Sequence, residues 1–206
     1  VKRVVNSESK IIGIGATSAI AEMTFNLCEK IKEKAPSKII IFGGIHISCL
    51  PEETLRKCPS IDYAVIGESE KIFYNLVQAI KNKKPVKKIK GIAFIGKGKF
   101  VKTLGEELIK DLDELPFSAR ELLPNHLYRP GSEFDIGFKG KKYWEIMTSR
   151  GCPNKCIYCS SSHFWKRIRT RSVENIFEEI KKLSKNGVKY ITFVDDTFTL
   201  SEKRVV

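Results

Sequence analysis

Tyr143-Trp144-Glu145-Ile146-Met147-Thr148-Ser149-Arg150-Gly151-Cys152-Pro153-Asn154-Lys155-Cys156-Ile157-Tyr158-Cys159-Ser160 decides how the second half of the chain is read. A strand-like run from Tyr143 to Thr148 leads into Cys152, Cys156 and Cys159, spaced Cys-x3-Cys-x2-Cys, with Tyr158 just before the last. Thiolates are metal ligands, so this loop offers a tripod for a metal.

Three such thiolates can bind three irons of a cubane and leave the fourth iron open to a substrate. Zinc also takes cysteine, but structural zinc closes with four ligands, normally in paired sets. The nearest fourth candidate, His163, stands four residues past Cys159 and would make a cramped tetrahedron. A disulfide framework would leave an odd cysteine over, and no signal peptide is read at the start. Cys28, Cys49 and Cys58 are scattered and are expected to be small core residues in a reducing interior.

Downstream, a helix is predicted from Val173 to Asn186, followed by Tyr190-Ile191-Thr192-Phe193-Val194-Asp195-Asp196-Thr197-Phe198-Thr199. The strand is apolar from Ile191 to Val194 and ends in two carboxylates. That places negative charge at the carboxyl edge of a parallel sheet, where α/β folds bind ligands. A plain alternative is that Asp195 or Asp196 caps or turns the following segment before Thr197 and Ser201.

The first hundred residues alternate strand and helix. Ile11–Gly15 is a short apolar strand, and Ala19–Lys34 carries Ile20, Met23, Leu27 and Ile31 at helical spacing. Lys38–Phe42 is the next strand, running into Gly43-Gly44, His46 and Ser48. A helix opens at Pro51-Glu52-Glu53, where an early proline and first-turn acids are favourable. Tyr63–Ile66 ends in Gly67-Glu68-Ser69-Glu70 before a helix through Phe73, Leu76, Val77 and Ile80. Such alternation predicts a parallel sheet with right-handed crossovers and ligands at the loops holding Thr17, Ser18, Gly43, Gly44, Gly67 and Glu68. For Gly43-Gly44 the plain reading is a tight strand-to-helix turn, and for His46 a loop histidine. Gly91–Ile95 and Lys99–Thr103 flank Gly96-Lys97-Gly98 as a hairpin. A polar stretch follows with Asp111–Phe117 and Leu122–Asn125, and Tyr128–Gly140 is a glycine-rich candidate lid.

At 206 residues the chain lies between one and two domains. No apolar run approaches the roughly 20 residues of a membrane helix, so a cytoplasmic protein is expected. The net charge of +13 is mostly lysine spread along the chain, including Lys81, Lys83, Lys84, Lys87, Lys88 and Lys90, without interleaved aromatics. Nucleic acid is therefore not the expected partner. Arg167, Arg169 and Arg171 alternate as in an extended segment. Facing solvent is their default; screening an anionic cluster site or binding an acidic substrate are the alternatives.

The segment Thr148–Ser160 resembles the cluster loop of radical S-adenosylmethionine (SAM) enzymes, and Arg169 to Thr199 resembles the first crossover and second strand of their barrel. The resemblance implies that Cys152, Cys156 and Cys159 ligate a 4Fe-4S cluster whose free iron chelates the amino and carboxylate groups of SAM. Tyr158 would lie against the adenine. Asp195 and Asp196 would stand where relatives present polar groups to the methionine ammonium. This chain has Asp-Asp where many members have Gly-Gly-Glu, leaving open which carboxylate makes the contact.

Residues from about Ser9 to Ile80 resemble the cobalamin-binding domain that precedes the barrel in one branch of that family. Ile41–Ser48 with Pro51-Glu52-Glu53, and Tyr63–Glu70, are the best-matched parts. There the glycines would let the backbone approach the corrinoid's nucleotide tail. The Asp-x-His-x-x-Gly pattern of many such domains is met by none of His46, His126 and His163. The chain begins at a point resembling the third strand of a five-stranded domain and stops after two barrel strands, as a fragment would.

The expected architecture is α/β: a partial doubly wound, Rossmann-like, flavodoxin-type cobalamin-binding domain with a terminal hairpin over residues 1–103, a linker over 104–140, and the start of a radical SAM β/α barrel over 141–206. The group implied is that of the anaerobic magnesium-protoporphyrin IX monomethyl ester cyclase. The implied enzyme cleaves SAM reductively, with cobalamin serving methyl transfer or cyclisation on a small-molecule substrate and a flavodoxin or ferredoxin giving the electron. Alternatives are a radical SAM enzyme that modifies RNA and a non-catalytic iron-sulfur or corrinoid-binding module.

Overall fold

A computed structural model describes residues 1–105, 108–124 and 143–205, apart from the side chains of residues 162 and 163. The candidate lid Tyr128–Gly140 lies outside the described residues, as does His126. The chain forms two compact units, Val1–Ile109 and Lys110–Val206.

In the first unit, a short helix α1 (Lys2–Val5) precedes β1 (Ile11–Gly15). Then come α2 (Ala21–Lys34), β2 (Ile39–Gly43), α3 (Ile45–Cys49), α4 (Pro51–Lys57), β3 (Tyr63–Val65) and α5 (Ser69–Lys81). The hairpin β4 (Ile92–Gly96) and β5 (Lys99–Lys102) follows. The five strands form one sheet in sequence order, with β1 at one edge. β1–β2 and β2–β3 are parallel, with Ile11 opposite Ile39 and Ile41 opposite Tyr63. The hairpin joins this sheet instead of standing apart: β4 pairs antiparallel with β3, so the sheet is mixed.

Strand alternation sends successive side chains to opposite faces. Ile40 and Phe42 face Phe25, Cys28 and Ile31 of α2, Ile47 of α3 and Leu55 of α4. Ile41 and Val65 face Ile72 and Leu76 of α5. Both faces are thus covered, and a fully buried Phe42 or Ile41 contributes about 1.5–3 kcal/mol relative to exposure. Cys28 and Cys58 are core residues as expected, whereas Cys49 is exposed, because α3 buries only Ile47.

The sequence placed Ile45–Cys49 in a loop; it is a helical turn. Gly44, at φ +97°, reverses the chain after β2. Leu50, at φ −129° and ψ 57°, then breaks the helix before Pro51, because a proline disfavours the helical region for its predecessor.

The second unit contains β6 (Tyr143–Ile146), β7 (Ser149–Arg150), α6 (Ser161–Trp165), β8 (Arg169–Thr170), α7 (Val173–Lys185), β9 (Tyr190–Phe193) and α8 (Glu202–Val205). β6 and β9 are parallel, Tyr143 opposite Tyr190, and α7 is the crossover between them. Ser172 caps α7, its side chain accepting from Asn175 N. Ile146, Leu183 and Val188 form its small buried core. β7 and β8 make a two-residue antiparallel bridge, with Arg150 opposite Arg169. Among the described residues no helix is long and apolar enough to cross a membrane.

Candidate functional site

In the first unit, the loops at the carboxyl ends of β1, β2 and β3 are tied by backbone and small hydroxyls. Ala16 N donates to Gly43 O and His46 N to Ala16 O, each at 3.3 Å. A Cβ on Gly44 would stand 2.8 Å from Ala16 O, so this glycine is required by both its φ and its neighbour. A Cβ on Gly43 would meet nothing within 4 Å. Ser48 Oγ donates to Gly44 O at 2.8 Å and accepts from Gly67 N at 3.0 Å, bridging the loops after β2 and β3. Ser18 Oγ lies 3.0 Å from His46 Nδ1, and the His46 ring is 5.8 Å from that of Phe25. Thr17, Ser18, Gly43, Gly44 and Gly67 thus lie along one sheet edge, as the topology predicted. Bare backbone over open space at Gly43 suits a bulky group that docks by its edge or tail. Glu68 is buried, and its Oε2 accepts from Ile109 N at 3.0 Å, so it also fixes the segment after the hairpin.

In the second unit, the cysteine loop leaves β6 through Thr148 and meets the tip of β9. Asp195 Oδ1 accepts from Thr148 N at 2.6 Å and Ser149 N at 2.8 Å, and its Oδ2 accepts from the Thr148 hydroxyl. Arg204 Nη2, on α8, donates to Thr148 O and Oγ1 at 3.3 and 3.2 Å. Asp195 therefore holds the preceding loop. Asp196 stays exposed, accepting from the Ser161 hydroxyl at the start of α6.

Cys152 is half-buried; Cys156 and Cys159 are exposed. Cys152 Sγ lies 3.4 Å from Thr197 Oγ1 and accepts from Asn154 Nδ2 at 3.6 Å. The Thr197 hydroxyl first, then the Asn154 backbone amide, hold this thiol below the ordinary cysteine range, favouring the thiolate that a metal needs. Among the described residues, no three His, Cys, Asp or Glu side chains stand close enough to hold one metal ion. Metal–sulfur bonds themselves draw such thiols together on binding. By donor chemistry, three thiols on one loop, one tuned toward thiolate, fit an iron-sulfur cluster. Tyr158 is 88% exposed on the same loop, its ring face open to a ligand.

Arg171 does not face solvent. It is nearly buried and donates to Glu179, Asn175 and the Met147 carbonyl. Arg169 is half-buried with Nη2 3.2 Å from Trp165 O, and only Arg167 of the three is exposed. The expected extension holds only for Arg169–Thr170, where Arg169 pairs with Arg150 of β7; Arg167 lies in a bend, and Arg171 reaches Glu179 of α7. Arg204 and the side-chain contacts of Thr148 and Thr197 escaped the sequence reading, since nothing in their residue type separates them from ordinary loop or helix residues.

The two halves define a class. Residues 1–77 match the B12 binding domain and residues 146–206 the Radical SAM superfamily, so the chain carries these two domains in succession. Those two domains imply a 4Fe-4S cluster, SAM and cobalamin as cofactors. Among its relatives, an uncharacterized methyltransferase of Pyrococcus horikoshii is 37% identical over 95% of this chain and 41% of its own length. The anaerobic magnesium-protoporphyrin IX monomethyl ester cyclase of Synechocystis is 30% identical over 93% of this chain and 37% of the relative. The chain thus spans about two fifths of these relatives. In fold it is similar to the radical SAM methyltransferase TsrM from Kitasatospora setae, solved with tryptophan and a SAM analogue. The TM-score is 0.75 at 17% identity, over 98% of this chain and 40% of that one.

Proposed function

We propose that the full-length protein is a cobalamin-dependent radical SAM enzyme that cleaves SAM reductively and carries out methyl transfer or cyclisation on a small-molecule substrate. The observation that carries this reading is the meeting of the cysteine loop with the tip of β9, where Cys152 contacts Thr197 and the exposed Asp196 stands alongside. A 4Fe-4S cluster held by Cys152, Cys156 and Cys159 would supply the electron that cleaves the sulfonium of bound SAM, and a corrinoid would carry the methyl group.

The chain's own residues then have distinct tasks. Cys152, Cys156 and Cys159 hold the cluster. Asp196, exposed and held by Ser161, receives the ammonium of SAM, while Asp195 is committed to the loop backbone. Tyr158 covers the adenine. In the first unit, the backbone at Gly43, Gly44 and Gly67, with Thr17 and Ser18, receives the corrinoid tail; Glu68 sets the floor of that edge. An external one-electron donor such as a flavodoxin or ferredoxin completes the system.

The test is anaerobic iron and sulfide reconstitution of the full-length protein, followed by electron paramagnetic resonance of the reduced sample with and without SAM. The expected result is a cubane signal that shifts on adding SAM and is lost in Cys156→Ala. Uptake of zinc, or a cluster indifferent to SAM, would overturn the radical reading in favour of a binding module.

A further inference from the structure

We propose that Arg120, Glu179 and Arg171 form a clamp on the outer edge of β6 that fixes where the cysteine loop begins, making all three positioning residues for the cluster. This rests on the cluster reading above.

In a parallel pair, alternate residues of a strand bond to opposite sides. Ile146 O accepts from Val194 N at 3.1 Å on the β9 side, so the carbonyls of Glu145 and Met147 point to the other edge. No strand among the described residues pairs there. An open edge presents unsatisfied groups and weakly held register. Arginines take the place of the missing strand. Arg120 Nη2 donates to Glu145 O at 2.9 Å, and Arg171 Nη1 donates to Met147 O at 3.1 Å.

Glu179 of α7 holds both. Its Oε1 lies 2.6 Å from Arg120 Nη1 and its Oε2 2.6 Å from Arg171 Nη1. The glutamate is buried and the arginine side chains are only 13% and 12% exposed. Their guanidinium groups lie 5.5 Å from the Trp144 ring and 5.6 Å from the Phe117 ring, respectively. A planar guanidinium can serve a carboxylate and a carbonyl at once, which a lysine ammonium does less well. Without the Glu179 charge, two like charges remain side by side in a desolvated place, and both are driven off the strand. Thr148 directly follows Met147 and Cys152 is four residues further on, so a shift of β6 passes to the first thiol with little slack.

The test compares Glu179→Gln and Arg120→Lys with the parent in the full-length protein. Lys32→Met, which breaks the Lys32–Asp62 pair of the first unit, serves as control. The first readout is hydrogen–deuterium exchange without cofactors, with circular dichroism as the check on folding. Peptides spanning 143–160 should exchange at least tenfold faster in both clamp variants, with first-unit peptides unchanged. The second readout is the resonance spectrum after reconstitution, in which the SAM-induced shift should fall by at least half. The control should lower thermal stability and move neither readout. Parent-like exchange and parent-like spectra in a folded Glu179→Gln protein would overturn the clamp. Should that variant not fold, Arg120→Lys decides by the same two readings. A parent protein without a SAM-responsive cluster sinks the cluster reading alone, because the exchange result still judges the clamp.

Discussion

The carboxyl edge of the first unit's sheet is tied by backbone and hydroxyls, whereas that of the second unit's is tied by charged side chains. Around Gly44, Ala16 and Ser48, the bonds are carbonyls, amides and one serine oxygen. Around Thr148, they are the Asp195 carboxylate, the Arg204 guanidinium and the Arg120–Glu179–Arg171 set. The cause lies in the sheets beneath. Five strands with helices on both faces fix their loop ends through the ladder and a large core. In the second unit the described residues hold two paired strands over a core of Ile146, Leu183 and Val188, and charged side chains tie the strand ends. Hydrogen bonds to charged groups are worth about 1.5–3 kcal/mol against about 1 for neutral ones, enough to replace part of a missing ladder.

This contrast can be broken most forcefully at the first unit's core. Phe42→Ala should cost about 3–5 kcal/mol of unfolding free energy in a denaturant titration, because the side chain is fully buried between α2 and the sheet. Iron content after reconstitution should stay near the parent's, and a parallel loss of iron would mean that the two edges are not independently supported.

Next in size, Asp195→Ala should cost about 2–3 kcal/mol, since three donors of Thr148 and Ser149 lose a charged acceptor. Here iron retention should fall with stability, measured by iron assay beside thermal unfolding. Gly44→Ala should cost about 1–3 kcal/mol for its left-handed backbone and its approach to Ala16, while Gly43→Ala should cost little. Cobalamin binding, followed by absorbance, should weaken in Gly43→Ala, whose methyl group would stand in the open space of the edge, and in Gly44→Ala through displacement of the turn against Ala16. Smallest in stability is Asp196→Asn. The exposed side chain should leave the melting temperature within about two degrees, since surface changes stay within about 0.5 kcal/mol. SAM affinity by calorimetry should fall about tenfold, near 1.4 kcal/mol. Equal SAM affinity in Asp196→Asn would return the ammonium contact to Asp195.

Much of the fold was legible from residue order. The Cys152–Cys159 spacing, the strand Ile11–Gly15, the hairpin about Gly96–Gly98 and the crossover helix after Ser172 are local patterns, and each lies where it was read. The helical turn Ile45–Cys49 was missed because it is too short for periodicity and depends on Gly44 and Pro51 breaking the chain on either side. The solvent reading of Arg171 failed because its acceptors, Glu179 and Met147 O, come from elements brought together only by folding.

By itself, the sequence determined most of the long elements, the alternation that puts the strand-end loops at one sheet edge, and the spacing of three cysteines on one loop. These are local properties of spacing, propensity and donor chemistry. The tertiary structure alone decided which of two adjacent aspartates is spent on the loop and which is left exposed. It also decided that the hairpin extends the first sheet and that arginines stand in for a strand beside β6. Such choices turn on which backbone groups lack partners after the chain has closed on itself, and a buried donor or acceptor takes whatever partner the fold brings within reach.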